Sequence, residues 1–168
     1  MVIWISGAYG VGKSSLASAL KNKMNNALIF DAEEVGNAVR DSYPNVPYGY
    51  IFEDYTLWGE FCFKLIKDVH NKFQKDIIVP MTLVRKDSYK IIKNLRKAGI
   101  DVKFYILEAS YQSIHARILA RGEEEGCWCM ENIEFSRREA SKLNGMHINT
   151  DNISIDDIAS AVLKEINK

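Results

Sequence analysis

Gly7-Ala8-Tyr9-Gly10-Val11-Gly12-Lys13-Ser14 is the stretch whose residue types and spacing most clearly specify chemistry. It matches G-x-x-x-x-G-K-[ST], a pattern that cradles phosphate when it follows a strand and opens a helix. The glycines let the backbone curl closely enough for its N–H groups to point at phosphate oxygens. The lysine brings a point charge to the β- and γ-phosphates, and the serine hydroxyl ligates Mg²⁺. The expected cofactors are therefore ATP and Mg²⁺, held by residues 7 to 14 together with Ser15. Lys13 is expected to act in catalysis as well as binding, and Ser14 to be the metal ligand. A glycine-rich turn without a ligand is the bland alternative. The apolar run Val2 to Ser6 before the motif and the helical pattern from Lys13 after it argue against that alternative.

Two further groups of side chains fit phosphoryl transfer. Leu28-Ile29-Phe30 runs into Asp31-Ala32-Glu33-Glu34, and strand C-termini in a doubly wound sheet face the ligand crevice. Asp31 is expected to accept a substrate hydroxyl proton or hold a Mg²⁺-bound water, with Glu33 orienting substrate. Asp31 is also a good N-cap for a helix over Glu33 to Arg40, and the two roles are compatible. Farther on, Arg117 and Arg121 lie four apart on one helix face. They border an acidic, glycine-flanked segment, Gly122 to Asn132, that precedes Arg137 and Arg138. Arginines beside such a lid, about residues 122 to 136, would stabilise the charge that spreads over a transferring phosphate. The competing reading is a solvated face with weak ion pairs to Glu123, Glu124 or Glu125.

Positioning these groups requires a sheet with helices between its strands. Short apolar runs at Val2 to Ser6, Ala27 to Asp31, Asp76 to Pro80, Val102 to Leu107 and His147 to Asn149 read as strands. They alternate with helical patterns, which predicts an α/β protein with a mostly parallel sheet in a single domain over 1 to 168. In Asp54 to Phe73, the stripe Trp58, Phe61, Leu65, Val69 and Phe73 is expected to face the core. Lys86 to Ala98 forms another helix, and Ser154-x-x-Asp157 caps the last one. The irregular stretch Ser42 to Tyr50 holds two prolines, a glycine and three tyrosines. With Phe52, Tyr55 and Trp58 nearby, those tyrosines are either a stacking surface for a ring or core packing.

Lys plus Arg and Asp plus Glu number 22 each, so a broad nucleic-acid or membrane footprint is not expected. No N-K-x-D base-reading motif marks the chain as a switch GTPase. Three cysteines, Cys62, Cys127 and Cys129, and an N-terminus that opens directly on a strand suggest a reducing cytoplasm.

The cradle, the acids and the arginines together resemble the small P-loop kinases of the shikimate, gluconate and nucleotide kinase type. That resemblance implies a three-layer P-loop NTPase fold, with a five-stranded parallel sheet of order 2-3-1-4-5, helices on both faces and a small lid. It also implies that Asp151, in Asn149-Thr150-Asp151-Asn152, borders the adenine. A closer likeness is to the ATP-binding tunicamycin-resistance proteins. It rests on Ile3-Trp4-Ile5-x-Gly7-Ala8, Asp31-x-Glu33 with Gly36 and Arg40, Leu57-Trp58, Ile78-Val79-Pro80-Met81-Thr82 and Thr150-Asp151-Asn152-x-Ser154-Ile155. By that likeness Asp31, Glu33, Arg40, Trp58 and Thr82 belong to the substrate side, and the acceptor is a hydroxylated small molecule or antibiotic. The extension that follows the last helix in that family is not matched, so no stable membrane insertion is expected. Val79-Pro80-Met81-Thr82 stands where many P-loop proteins carry an acidic metal-binding residue. Binding without turnover, as a protein that sequesters a drug, is therefore the alternative function.

Overall fold

The computed structural model describes residues 1–46 and 50–167. Pro47, Tyr48 and Gly49 of the tyrosine-rich stretch lie outside them. Strands β1 (Val2–Gly7), β2 (Ala27–Ile29), β3 (Asp76–Pro80), β4 (Val102–Glu108) and β5 (Met146–Asn149) form one parallel sheet in the order β2-β3-β1-β4-β5. Helices α1 (Lys13–Lys23), α2 (Ala32–Asp41), α3 (Thr56–Phe73) and α4 (Lys90–Lys97) come from the first part of the chain. They are followed by α5 (Tyr111–Ala120), α6 (Trp128–Glu131), α7 (Ile133–Ala140) and α8 (Ile155–Ile166).

Strand side chains alternate between two cores. Trp4, Val79, Phe104 and Ile106 face a cluster with α2, α3 and α4. Ile3, Ile5, Ile78, Tyr105 and Leu107 face a second cluster with α1, α5 and α8. β1 is buried along its whole length, as a strand covered on both faces must be.

Three elements depart from expectation. The buried row of α3 is Trp58, Cys62 and Ile66, whereas Phe61, Leu65 and Phe73 are exposed. Trp58 and Val69 pack on the core as expected, while tertiary packing selects the adjacent apolar row, Cys62 and Ile66, over Phe61 and Leu65. α4 starts at Lys90 rather than Lys86, because residues 86–89 close as tighter turns in which the N–H groups of Ser88, Lys90 and Ile91 donate three residues back, to Arg85 O, Asp87 O and Ser88 O. β2 stops at Ile29, and Asp31 turns out of the sheet to open α2. The expected cap on α8 forms: Ser154 accepts the Asp157 N–H at 3.1 Å. Among the described residues no helix is long and apolar enough to cross a membrane.

Candidate active site

The phosphate motif emerges from the middle of the sheet, since β1 lies between β3 and β4 and Gly7 stands opposite Leu107. Gly7, Gly10 and Gly12 take φ values of 140°, 77° and 110°. A Cβ on Gly7 would lie 2.5 Å from the Leu107 carbonyl oxygen, so only glycine fits this turn. Gly12 caps α1 without a side-chain hydrogen bond, and the first turn of α1 carries no acid. The helix N-terminus is thus open to an anion, and the residues present fit a polyphosphate.

Lys13 reaches back over the loop, where Nζ donates to Ala8 O at 2.8 Å and Gly7 O at 3.4 Å. Thr82 Oγ1 donates to the same Gly7 carbonyl at 3.0 Å. Desolvation lowers the Lys13 ammonium pKa to about 8, against the opposing pull of Glu33. Tyr9, Lys13, Ser14, Ser15, Glu33, Thr82, Arg117, Arg121 and Cys129 line a cleft of about 650 Å³. Among the described residues no group of three His, Cys, Asp or Glu could hold a metal ion. A Mg²⁺ here would therefore rely on Ser14 and the phosphates it accompanies.

The structure sorts the expected site residues. Glu33 and Thr82 reach the cleft. Asp31 does not: it is exposed, and its carboxylate accepts the Glu33 N–H at 2.9 Å as the N-cap of α2. The carboxylate that faces Lys13 is thus two residues later than the expected base. Trp58 is fully enclosed and its indole N–H donates to Ala32 O at 2.8 Å, which fastens α3 to α2. Arg40 is exposed, with its guanidinium 5.6 Å from the Phe52 ring and beside Asp41.

The arginines differ from each other. Arg117 donates to Val11 O at 3.0 Å, to Thr150 Oγ1 at 2.9 Å and to Thr150 O at 2.8 Å. It therefore ties the phosphate loop to the turn after β5 through three hydrogen bonds, while still lining the cleft. Arg121 lies at the cleft rim, paired with Glu123 at 2.6 Å. Asp151 accepts from Ser110 N at 2.8 Å, which helps hold the start of α5. It lines a neighbouring cavity of about 460 Å³ with Ala8, Ser110, Arg137 and Arg138.

Several polar residues that border a separate cavity of about 880 Å³ carried no signal in the sequence. Glu53 accepts the N–H groups of Val84 and Arg85 at 2.8 and 3.0 Å, and burial raises its carboxyl pKa. Asp54 holds the Arg85 guanidinium at 2.9 and 3.1 Å. These pairs join positions about thirty residues apart, which no local spacing reveals. Residues 127–136 pack more firmly than an irregular segment would: Met130, Ile133 and Ser136 are buried, and Trp128 stands 4.8 Å from the Tyr9 ring.

Comparison with known proteins bears on this arrangement. The model of the Zeta toxin family matches residues 1–154. No curated protein matches the chain in sequence. Among solved structures, the chain is similar to the tunicamycin resistance protein of Deinococcus radiodurans, with a TM-score of 0.81 at 20% identity over 98% of this chain and 94% of that one. A sugar kinase of Janibacter sp. HTCC2649 matches with a TM-score of 0.69 at 14% identity, over 99% of this chain and 94% of that one. The APS kinase of Mycobacterium tuberculosis, in complex with AMPPNP and APS, matches with 0.64 at 15% identity, over 99% and 97%. At these identities the shared property is the fold of P-loop kinases.

Proposed function

The chain belongs to the Zeta toxin family, within the P-loop kinase-like fold, and from that premise we propose that it binds Mg-ATP and transfers the γ-phosphate to a hydroxyl of a small molecule. The observation that carries the reading is that Lys13 and Glu33 line one cleft, beside a loop whose glycines and helix end suit a polyphosphate. Mg-ATP supplies the electrophilic phosphorus and a divalent charge. Lys13, now held by the carbonyls of Ala8 and Gly7, would hold phosphate oxygens, and Ser14 would ligate the metal. Glu33 accepts the acceptor's hydroxyl proton, with Asp31 fixing its backbone. Arg121 gives up Glu123 to meet the charge that develops in transfer.

The likeness to a tunicamycin resistance protein supports an antibiotic of that kind as a candidate acceptor. One observation favours a second reading, in which a drug is bound and sequestered without transfer: both arginines near the loop are already engaged within the protein. Incubating the protein with Mg-ATP and tunicamycin, beside a panel of hydroxylated metabolites and antibiotics, decides between them. A compound that gains one phosphoryl group by mass spectrometry, and does not with Lys13→Ala, supports the kinase. Tight drug binding with unmodified drug would replace it with sequestration.

A further inference from the structure

α3 leaves an apolar row on the surface. Helix ridges follow positions four apart, and one ridge of α3 is Leu57, Phe61, Leu65, Val69 and Phe73. Leu57, Phe61, Leu65 and Phe73 are exposed, at 41%, 41%, 45% and 63%, and Val69 is half-buried. The first three form one wall of an apolar groove of about 640 Å³, whose other wall includes Val35, Ala38 and Val39 of α2. Exposed apolar side chains scattered singly are ordinary, but a contiguous row beside a groove marks an interaction surface.

Charge on the adjacent ridge identifies the partner. Trp58, Cys62 and Ile66 flank the apolar row on its core side, and Glu60, Lys64, Asp68 and Lys72 flank it on the other. All four charged residues are exposed. Within the chain they form two pairs, Glu60 with Lys64 at 3.8 Å and Asp68 with Lys72 at 3.0 Å. Their signs alternate, so the row read backwards offers the opposite charge at every position. An antiparallel copy of α3 therefore meets Glu60 with Lys72 and Lys64 with Asp68, whereas a parallel copy sets each charge against itself. The charged row is centred on Ile66 and the apolar row on Leu65, so one two-fold axis satisfies both. Self-complementarity about one axis is what an isologous dimer requires.

We propose that this face is an interface between two copies of the chain, with α3 antiparallel to its counterpart about Leu65 and α2 flanking the contact. Leu57 of one copy meets Phe73 of the other, Phe61 meets Val69, and Leu65 meets its own equivalent on the axis. The inference stands apart from the nucleotide-binding reading, since it uses none of the cleft residues.

Sedimentation equilibrium measures the association directly. Two helices per copy make an interface at the small end of the stable range, with affinity in the micromolar range. Wild type is therefore expected to pass from monomer to dimer between about 1 and 200 µM. Leu65→Asp sets two carboxylates against each other on the axis and weakens association about a hundredfold. Leu65 is exposed, so the urea midpoint of this variant stays near the wild-type value and shows that the fold is kept. Lys64→Glu and Asp68→Lys each oppose like charges twice across the axis, and each weakens self-association about tenfold. Mixed in equal amounts, the two variants oppose unlike charges again, and the mixture regains the wild-type association. Neither variant can regain it within its own helix, so the mixture reads contact between copies. Wild type that stays monomeric at the highest concentration overturns the proposal. A dimer that Leu65→Asp leaves intact overturns it too, as does a mixture that associates no better than its components.

Discussion

The nucleotide side and the acceptor side of the cleft are built by opposite means. On the nucleotide side, one contiguous run of eight residues supplies backbone, lysine and metal ligand. On the proposed acceptor side, Glu33 and Thr82 reach the cleft from separate segments, and Glu53 and Asp54 hold Arg85 and the chain beside it across about thirty residues. The first arrangement suits a ligand part that never changes, the polyphosphate. The second can change one contact at a time, which suits a half of the site that selects the acceptor.

The largest test of this contrast removes the one side chain that serves both halves. Lys13→Ala is expected to lower phosphoryl transfer by about a thousandfold or more, measured by product formation at saturating acceptor. Fusing the sides sterically comes next. Gly36 packs so closely under the Phe52 ring that a Cβ would lie 2.3 Å from it. Gly36→Ala should therefore displace the 51–55 strap and cost about 1–3 kcal/mol in denaturant unfolding, with nucleotide affinity little changed. Equal losses of both would show that the two halves are not separable.

Arg117 sharpens the comparison from the other side. Arg117→Ala should weaken nucleotide binding about tenfold through a loosened loop, and Arg117→Lys should rescue little, since one ammonium cannot span Val11 and Thr150. Acidity gives a further handle. Lys13 titrates near 8, so below that pH the ammonium is already formed. Above it, nucleotide binding must take up a proton, and affinity should fall by up to about tenfold per pH unit until the bound-state pKa is reached. Calorimetry in two buffers of different ionisation heat measures that uptake. The smallest effect is expected at Glu123→Gln. It removes the half-buried partner of the exposed Arg121 and should leave stability within about 0.5 kcal/mol. If Arg121 must leave Glu123 before transfer, turnover rises in this variant.

The same contrast explains what the sequence disclosed. The cradle was legible because phosphate geometry demands glycines, a lysine and a hydroxyl at fixed offsets, and the sheet because its strands are apolar throughout. Asp31 illustrates the limit. Both it and Glu33 were visible at the strand end, but which one reaches the cleft depends on which becomes the N-cap of α2. Glu53 illustrates a deeper limit, since its partners at Val84 and Arg85 are joined to it only by the fold. α3 shows the third kind: a helix apolar on most sides keeps its buried row undecided until the sheet is in place.

The sheet separates two hydrophobic clusters, one beneath α2, α3 and α4 and the other beneath α1, α5 and α8. Substitutions in clusters that share no side-chain partners combine nearly additively. Changes in the α2–α4 layer are therefore expected to leave the packing around the phosphate motif, which lies against the other cluster, nearly untouched. The partition makes the two faces of the sheet separately mutable, so one layer can be repacked while the other holds its shape.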